Sequence, residues 1–525
     1  MLFGRPAHRK NRRLKVTQTR NINKARKAEA GGPRLSPRLS SPVPTDMFSV
    51  FHPAGGVLLA SLGLLVPRLS LASLSVPDIP HIAGYFGTKT RYEEVNPHLL
   101  RDPLSADPSV LRPPPAEQCS PVHLTAVIRH GSRYPTLKNI RRIRKLSELV
   151  RTEASRASGG SESWLQEIRN RWEAWYTEDM DGQLVMKGRD DLRQLASRLV
   201  SVFPSLLSEE SVRKRRVRFL TSSKHRCVSS VEAFQEGLQR RWGRHDGEPE
   251  YSHEVDDELM RFFDRCRGYV EGVENNRTAL LEVEKFKHGE EMEGVRRRMA
   301  DRLGLPHHRL TPDCPSVPPV DLLEAAFFLC SYELSIKNVH SPWCFLFDES
   351  DAKVLEYKSD LKQYWKRSHG HEINSLSSCP LFHHVFRTLD RAGRPRRSTD
   401  ASPEPASILV GHAETLLPLL SLLGLYKDQT PPTATNYDSQ HGRRFRTSLI
   451  VPYAANLLFV LYDCQRGPRL QLLVNESPVR FPGLEAEDAP LYRDVRATYR
   501  HLLDGCDFHR ECEGRAVGRA PNTEL

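Results

Sequence analysis

The run Val122-His-Leu-Thr-Ala-Val-Ile-Arg129-His130-Gly131-Ser132-Arg133-Tyr134-Pro135 decides how this chain is read. Its first half is apolar and partly β-branched (Val122, Leu124, Val127, Ile128), which predicts a buried strand. The apolar pattern stops abruptly at Arg129. In an open α/β sheet the residues just past a strand's carboxyl end face the ligand crevice, so two arginines and a histidine there predict an oxyanion site. Gly131 allows a close backbone turn, and Pro135 stiffens the exit. A histidine beside one arginine is by itself ordinary. The five fixed residues of R-H-G-x-R-x-P should arise by chance in a chain this long at about one in ten thousand, taking average residue usage.

Two further strand ends repeat the pattern. Val217–Leu220 predicts a short strand that empties into Thr221-Ser-Ser-Lys224-His225-Arg226-Cys227, with a helix over 228–238. Ser407–Gly411 predicts another, followed by His412-Ala-Glu414 and a helix over 415–423. Taken alone, Arg226 is a surface arginine and Glu414 a carboxylate that complements a helix dipole. Chemistry at a phosphoryl centre asks for the combination: cationic groups where charge develops, and an acid for the leaving oxygen.

The signature at 129–135 resembles that of the histidine acid phosphatases. The resemblance implies that His130 attacks phosphorus, that Arg129, Arg133, Arg226 and His412 hold the phosphate, and that Glu414 is the proton donor. The planar guanidinium forks suit phosphoryl oxygens, and their charge keeps a neighbouring imidazole neutral and nucleophilic. Most of that family places an aspartate directly after the second histidine. Here Ala413 intervenes and the longer glutamate restores the reach, a variant that resembles the multiple inositol polyphosphate phosphatase branch. The likeness extends through Gly87–Tyr92 (GTKTRY), Ser222–Cys227 (SSKHRC), Leu259–Asp264 (LMRFFD), Ser341–Cys344 (SPWC), Asp351–Arg367 and His412–Ser421 (HAETLLPLLS), from about residue 85 to the C-terminus.

The resemblance implies phytate and lower inositol phosphates as substrates, with 2,3-bisphosphoglycerate as a further candidate, and no metal or other cofactor. Lys224 and His225 are weaker candidates for neutralising a multiply phosphorylated substrate. A broad-specificity histidine acid phosphatase is the alternative within the superfamily. A non-catalytic polyanion-binding protein is the alternative from another class, but binding alone does not need a nucleophile and an acid together.

The expected fold class is α/β: a mixed sheet of the histidine phosphatase type flanked by helices, with an inserted, mainly helical domain. The phosphatase domain is expected over 78–244 and 405–515 and the insertion over 245–400, where charged helical segments are predicted at 257–269, 277–287, 292–303, 321–336 and 351–367. A Pro-rich loop falls at 311–319 and a linker at 390–405. Helices are also expected at 138–150, over the tryptophan-rich 164–175, at 186–203 and at 492–503, and strands at 448–453, 457–464 and 470–474. Residues 516–525 read as a flexible tail.

The chain has 525 residues and a net charge of +12, but residues 1–46 hold 12 Lys or Arg and 2 Asp or Glu, so the remainder is close to neutral. The basicity belongs to a tail whose Ser/Pro-rich composition predicts disorder, and no nucleic-acid partner is expected. Residues 47–72 read as a secretory signal peptide cleaved after Ala72, too short for a stable membrane span. On that reading Met47 is the biological start and residues 1–46 an upstream extension, the rival being an uncleaved signal anchor. Ten cysteines suit an oxidising compartment, and their pairing is left open. Asn276 and Asn475 head glycosylation triplets. The end, Asn522-Thr-Glu-Leu525, shares two residues with the lumenal retrieval signal. The branch it resembles is retained in the endoplasmic reticulum, so that lumen or secretion is the expected location.

Overall fold

The computed structural model describes residues 79–106, 118–153, 162–243, 251–307, 319–394 and 404–513. The basic extension, the signal segment, the C-terminal tail, nearly all of the 311–319 loop and most of the 390–405 linker lie outside them.

Among the described residues seven strands form one sheet: β1 (Cys119–Arg129), β2 (Val217–Thr221), β3 (Glu254–Val255), β4 (Ala406–Gly411), β5 (Asn456–Cys464), β6 (Arg469–Val474) and β7 (Ser477–Pro478). Their order is β3-β2-β4-β1-β5-β6-β7. Strands β3, β2, β4 and β1 are parallel, while β5, β6 and β7 run antiparallel. Register matters more than order for the site. Arg129 pairs with Gly411 and Thr221 with Val410, so the carboxyl ends of β1, β2 and β4 finish level, side by side at the centre of the sheet.

Both faces of the sheet are buried, which is why its central strands read as nearly continuous apolar runs. The principal helices are α1 (Leu137–Glu153), α2 (Met186–Val202), α3 (His225–Arg241), α4 (Pro319–Lys337), α5 (Glu349–Arg367), α6 (Cys379–Ala392) and α7 (Ala413–Leu422). One sheet face carries Leu124, Ala126 and Ile128 against Leu192, Leu195 and Leu199 of α2 and Val231, Phe234 and Leu238 of α3. The other carries Val127 and Leu409 against α6 and α7. A separate helical body gathers Ile140, Ile143 and Leu146 of α1 with Leu323 and Phe327 of α4 and Leu355 and Tyr357 of α5.

Several expected elements change form. The tryptophan-rich helix stops at Asn170. Trp172 and Trp175 lie beyond it, where both indole N–H groups donate to Glu333 Oε1 at 2.8 and 3.2 Å. The strand expected at 448–453 is instead a helical turn, Thr447–Ile450. The buried Asp360 carboxylate overrides the β-propensity there by accepting from the Thr447 N–H at 2.8 Å and from its hydroxyl at 2.6 Å. The closing helix is two short helices, Tyr492–Thr498 and Arg500–Gly505. Helix α6, which closes one face of the sheet, was not expected from the sequence.

The disulfides join Cys119 to Cys464, Cys266 to Cys512, Cys330 to Cys344 and Cys379 to Cys506. Cys119 and Cys464 are register partners on β1 and β5, so that bridge staples two central strands. Asn475 is corrected as a glycan acceptor: it is buried, and its amide donates to the carbonyls of Leu449 and Ile450 at 2.8 and 3.2 Å. Asn276 is partly exposed in a turn, its Oδ1 accepting from the Thr278 N–H at 3.0 Å.

Candidate active site

The level strand ends bring the histidines together. His130 follows β1 and His412 follows β4, and their ring centroids are 5.6 Å apart. His130 Nδ1 lies 2.9 Å from the carbonyl oxygen of Gly131. A carbonyl can only accept, so Nδ1 carries the proton and Nε2 keeps its lone pair. Burial, and then the charges of Arg226 and Arg129, push the His130 pKa well below the ordinary value. The ring is a neutral base in a cationic surround.

The loop carrying His130 is held by close packing. A Cβ on Gly131 would sit 2.2 Å from the Gly188 carbonyl oxygen, and one on Gly188 would sit 2.2 Å from the Ser132 carbonyl oxygen. Gly131 is therefore required by the approach of α2 rather than by a left-handed turn. Ser132 Oγ donates to Asp191 on the same helix at 3.1 Å, and Asp191 pairs with Lys187, which reaches Glu93 at 2.6 Å.

Arg129 is buried, and one of its terminal nitrogens donates to the carbonyls of Thr88 and Val451, both at 2.7 Å. Its guanidinium carbon lies 4.8 Å from the centroid of the Tyr453 ring, a cation–π stack. Burial draws its pKa down to about 10, so it remains charged near neutrality. The turn at 447–450 thus builds the wall on which Arg129 rests. Arg133 donates to the Tyr134 carbonyl at 2.8 Å and interacts with the Tyr332 hydroxyl.

Helix α3 begins three residues earlier than its periodicity suggests, which puts Arg226 in its first turn. There Arg226 Nη2 lies 3.3 Å from His412 Nδ1, while Ser222 Oγ lies 2.9 Å from His412 Nε2. A guanidinium can only donate, so Nδ1 accepts and the His412 proton sits on Nε2. Burial and Arg226 draw the His412 pKa down to about 3. Both Arg129 and Arg226 keep a buried Nε with no hydrogen-bond acceptor. Lys224 and His225 are exposed at the helix start, in contrast to the inward Arg226.

Glu414 stands in the first turn of α7, two residues beyond His412. Its Oε1 lies 3.0 Å from Arg367 Nη2 at the end of α5. Burial favours the protonated carboxyl, but the Arg367 guanidinium outweighs it and holds the pKa well below the usual carboxylate range. Arg367 closes the Asp351–Arg367 motif, but its pairing with Glu414, 47 positions on, leaves no local pattern in the sequence. The positioning roles of Gly188, Ser222 and Tyr453 were equally silent.

Beside the cluster lies a cavity of about 310 Å³ whose cationic lining is Lys89, Lys138, Arg142, Lys287, Lys358 and Lys362. Lys89 follows Thr88, the residue whose carbonyl holds Arg129. Its ammonium sits 3.5 Å from the centroid of the Phe328 ring, and burial and the nearby Arg133 push its pKa well down. The same lining holds three carboxylates: Lys358 pairs with Glu324, Lys287 with Glu284 at 2.6 Å, and Arg142 with Asp321. Six basic side chains against three carboxylates leave a positive excess, which favours a ligand with several negative charges.

The model of the histidine phosphatase superfamily (branch 2) matches residues 122–475. Multiple inositol polyphosphate phosphatase 1 of Homo sapiens is 45% identical over 490 residues, covering 90% of this chain and 96% of its own. Its namesake in Gallus gallus is 45% identical over 449 residues, covering 85% and 96%. Among solved structures, the Bifidobacterium longum multiple inositol polyphosphate phosphatase in complex with inositol hexasulfate has a TM-score of 0.61 at 15% identity, covering 80% of this chain and 97% of that one. That last likeness concerns the fold. The matched region spans all three strand ends with His130, Arg226 and His412, and the chain belongs to branch 2 of the histidine phosphatase superfamily, in its multiple inositol polyphosphate phosphatase family.

Proposed function

We propose that this chain hydrolyses the phosphomonoesters of inositol polyphosphates, phytate and lower inositol phosphates, through a covalent phosphohistidine. The observation that carries the reading is His130: a neutral imidazole with Nδ1 committed to the Gly131 carbonyl and Nε2 free as the nucleophile, among Arg129, Arg133, Arg226 and His412. His130 Nε2 attacks phosphorus in line with the departing oxygen. The arginines and His412 bind the phosphoryl oxygens as negative charge spreads over them, a fixed arrangement that needs no reorganisation during reaction. Glu414 protonates the leaving alkoxide, then serves as base for the water that hydrolyses the phosphohistidine. The cationic cavity beside the cluster supports a substrate bearing several phosphates, and the 45% identical human relative is named for inositol polyphosphates.

The test is phosphate release from phytate by the purified chain and by His130→Ala. Wild type is expected to release phosphate, and the variant to lose at least about 1000-fold in kcat, as nucleophile removal does, with an unchanged unfolding midpoint. Substantial turnover by a folded His130→Ala would exclude the nucleophile assignment. Hydrolysis of a simple aryl phosphate without release from phytate would keep the phosphatase and discard the inositol polyphosphate substrate.

A further inference from the structure

The ion pair between Glu414 and Arg367 conflicts with the work Glu414 must do. A general acid has to carry a proton when the leaving oxygen departs. In the structure its Oε1 is 3.0 Å from Arg367 Nη2, an arrangement that stabilises the ionised form. Arg367 is itself incompletely satisfied. Its Nη1 donates to Gln363 at 3.1 Å, but its Nε is buried with no acceptor. Gln363 and Lys362 line the cationic cavity, so α5 runs from that cavity at Lys358 and Lys362 to Glu414 at Arg367. The Glu414 side chain keeps 34% of its exposure and Arg367 15%, so the pair is open to an arriving anion.

We propose that Arg367 is a positioning residue that gates the acid: a second phosphate on the substrate draws Arg367 away from Glu414, which then takes up the proton it delivers to the leaving oxygen. The inference rests on the assignment of Glu414 as the acid. Proton and electron movements balance. Glu414 gains a proton from solvent when Arg367 leaves it. As the His130 Nε2–phosphorus bond forms, the bond from phosphorus to the leaving oxygen breaks, and the electron pair on that oxygen takes the Glu414 proton. A substrate with a single phosphate fills the catalytic cluster but leaves the ion pair in place.

Other charged groups around Glu414 do not substitute for Arg367. Arg129 and Arg133 approach from β1 and the loop after it, Arg226 from α3, and His412 from the start of α7. The phenol of Tyr269 and the buried thiol of Cys227 face it as well. The first four are committed to the reacting phosphate. Arg367 also feels Glu274, Asp264 and Tyr269, and it adds to the positive field at Lys362, whose pKa burial draws down to about 8. A phosphate at Lys362 and Arg367 relieves that crowding of positive charge.

The experiment compares kcat against pH for three substrates: inositol hexakisphosphate, glycerol 2-phosphate, and p-nitrophenyl phosphate, whose leaving group needs no proton. In wild type, activity on glycerol 2-phosphate is expected to fall off at a pH lower by about a unit or more than activity on inositol hexakisphosphate, because one partner charge moves a carboxyl by that much. In Arg367→Gln the two falls should coincide, glycerol 2-phosphate turnover at pH 6 should rise about tenfold, and Arg367→Lys should restore the separation. Coincident falls in wild type would overturn the proposal without needing any variant. Equal losses on both alkyl phosphates in Arg367→Gln, with neither profile moved, would also overturn it. The first-turnover burst of p-nitrophenol must depend on His130 and persist in Glu414→Gln, where only the later hydrolysis of the phosphohistidine slows. Failure of that control would instead remove the catalytic assignment on which the gate rests.

Discussion

His130 shows how one backbone contact decides chemistry. The Gly131 carbonyl accepts a hydrogen bond from the His130 Nδ1–H at 2.9 Å and so leaves Nε2 as the only nitrogen able to attack. The loop must hold that carbonyl still, and it does so through the contact between two glycines on facing segments. Any side chain at Gly188 would enter the Ser132 backbone, with its Cβ 2.2 Å from the carbonyl oxygen and 2.7 Å from the nitrogen. Gly188→Ala is therefore expected to cost about 1–3 kcal/mol of stability, as overpacking does. It should also lower kcat on p-nitrophenyl phosphate by roughly 10- to 100-fold, since displacements near 1 Å have that effect. Urea unfolding and steady-state rates check both, and full turnover would mean that the loop shifts without disturbing His130. The sequence showed Gly131 plainly because it sits inside the signature. It could not show Gly188, whose meaning exists only where two distant segments meet.

Among the elements, the three strand ends were legible, because apolar runs that end in ionisable residues are a local pattern. Helix α5 was legible as a helix but not as a device. Its Asp360 caps the turn at Thr447 and accepts from Arg443 at 2.6 Å, while Glu356 holds Arg443 and Arg446 at 3.0 and 3.1 Å. These contacts join residues more than 80 positions apart, which no periodicity reports. They also explain the misread strand: Ser448–Tyr453 has strand-like composition, but the buried carboxylates of α5 bind its polar start. Asp360→Asn would leave Arg443, only 6% exposed, with half its negative charge gone. Breaking a buried pair from one side costs about 3–5 kcal/mol. The same change should loosen Val451, whose carbonyl holds Arg129, and so weaken inhibition by inorganic phosphate. A loss below about 1 kcal/mol in denaturant unfolding would show that Arg443 finds its charge partner in Glu356 alone.

For the whole molecule, buried histidines set the acid limit. His123, His130 and His412 are nearly inaccessible, and burial is the main reason that each has a depressed pKa, about 4 for His123 and about 3 for His412. In the unfolded chain each takes a proton below about pH 6.5, whereas in the fold each stays neutral to much lower pH. The unfolded state then binds more protons, so stability falls as the pH drops from about 6.5 toward 4, by up to about 1.4 kcal/mol per pH unit for each histidine. Carboxylates held below their usual range, Glu414 among them, add to the loss from about pH 5 downward. Urea midpoints measured at pH 7, 6, 5 and 4.5 should therefore decline steadily. Saturating inorganic phosphate should flatten the decline as well as raise the midpoint, because an anion beside His130 and His412 returns their pKa values toward normal. His123 lies away from that anion, with its Nδ1 on the Glu404 carbonyl at 2.8 Å, so part of the slope should remain. A midpoint that stays level between pH 7 and 5 without phosphate would mean that these rings are charged in the fold, and with them would go the neutral nucleophile.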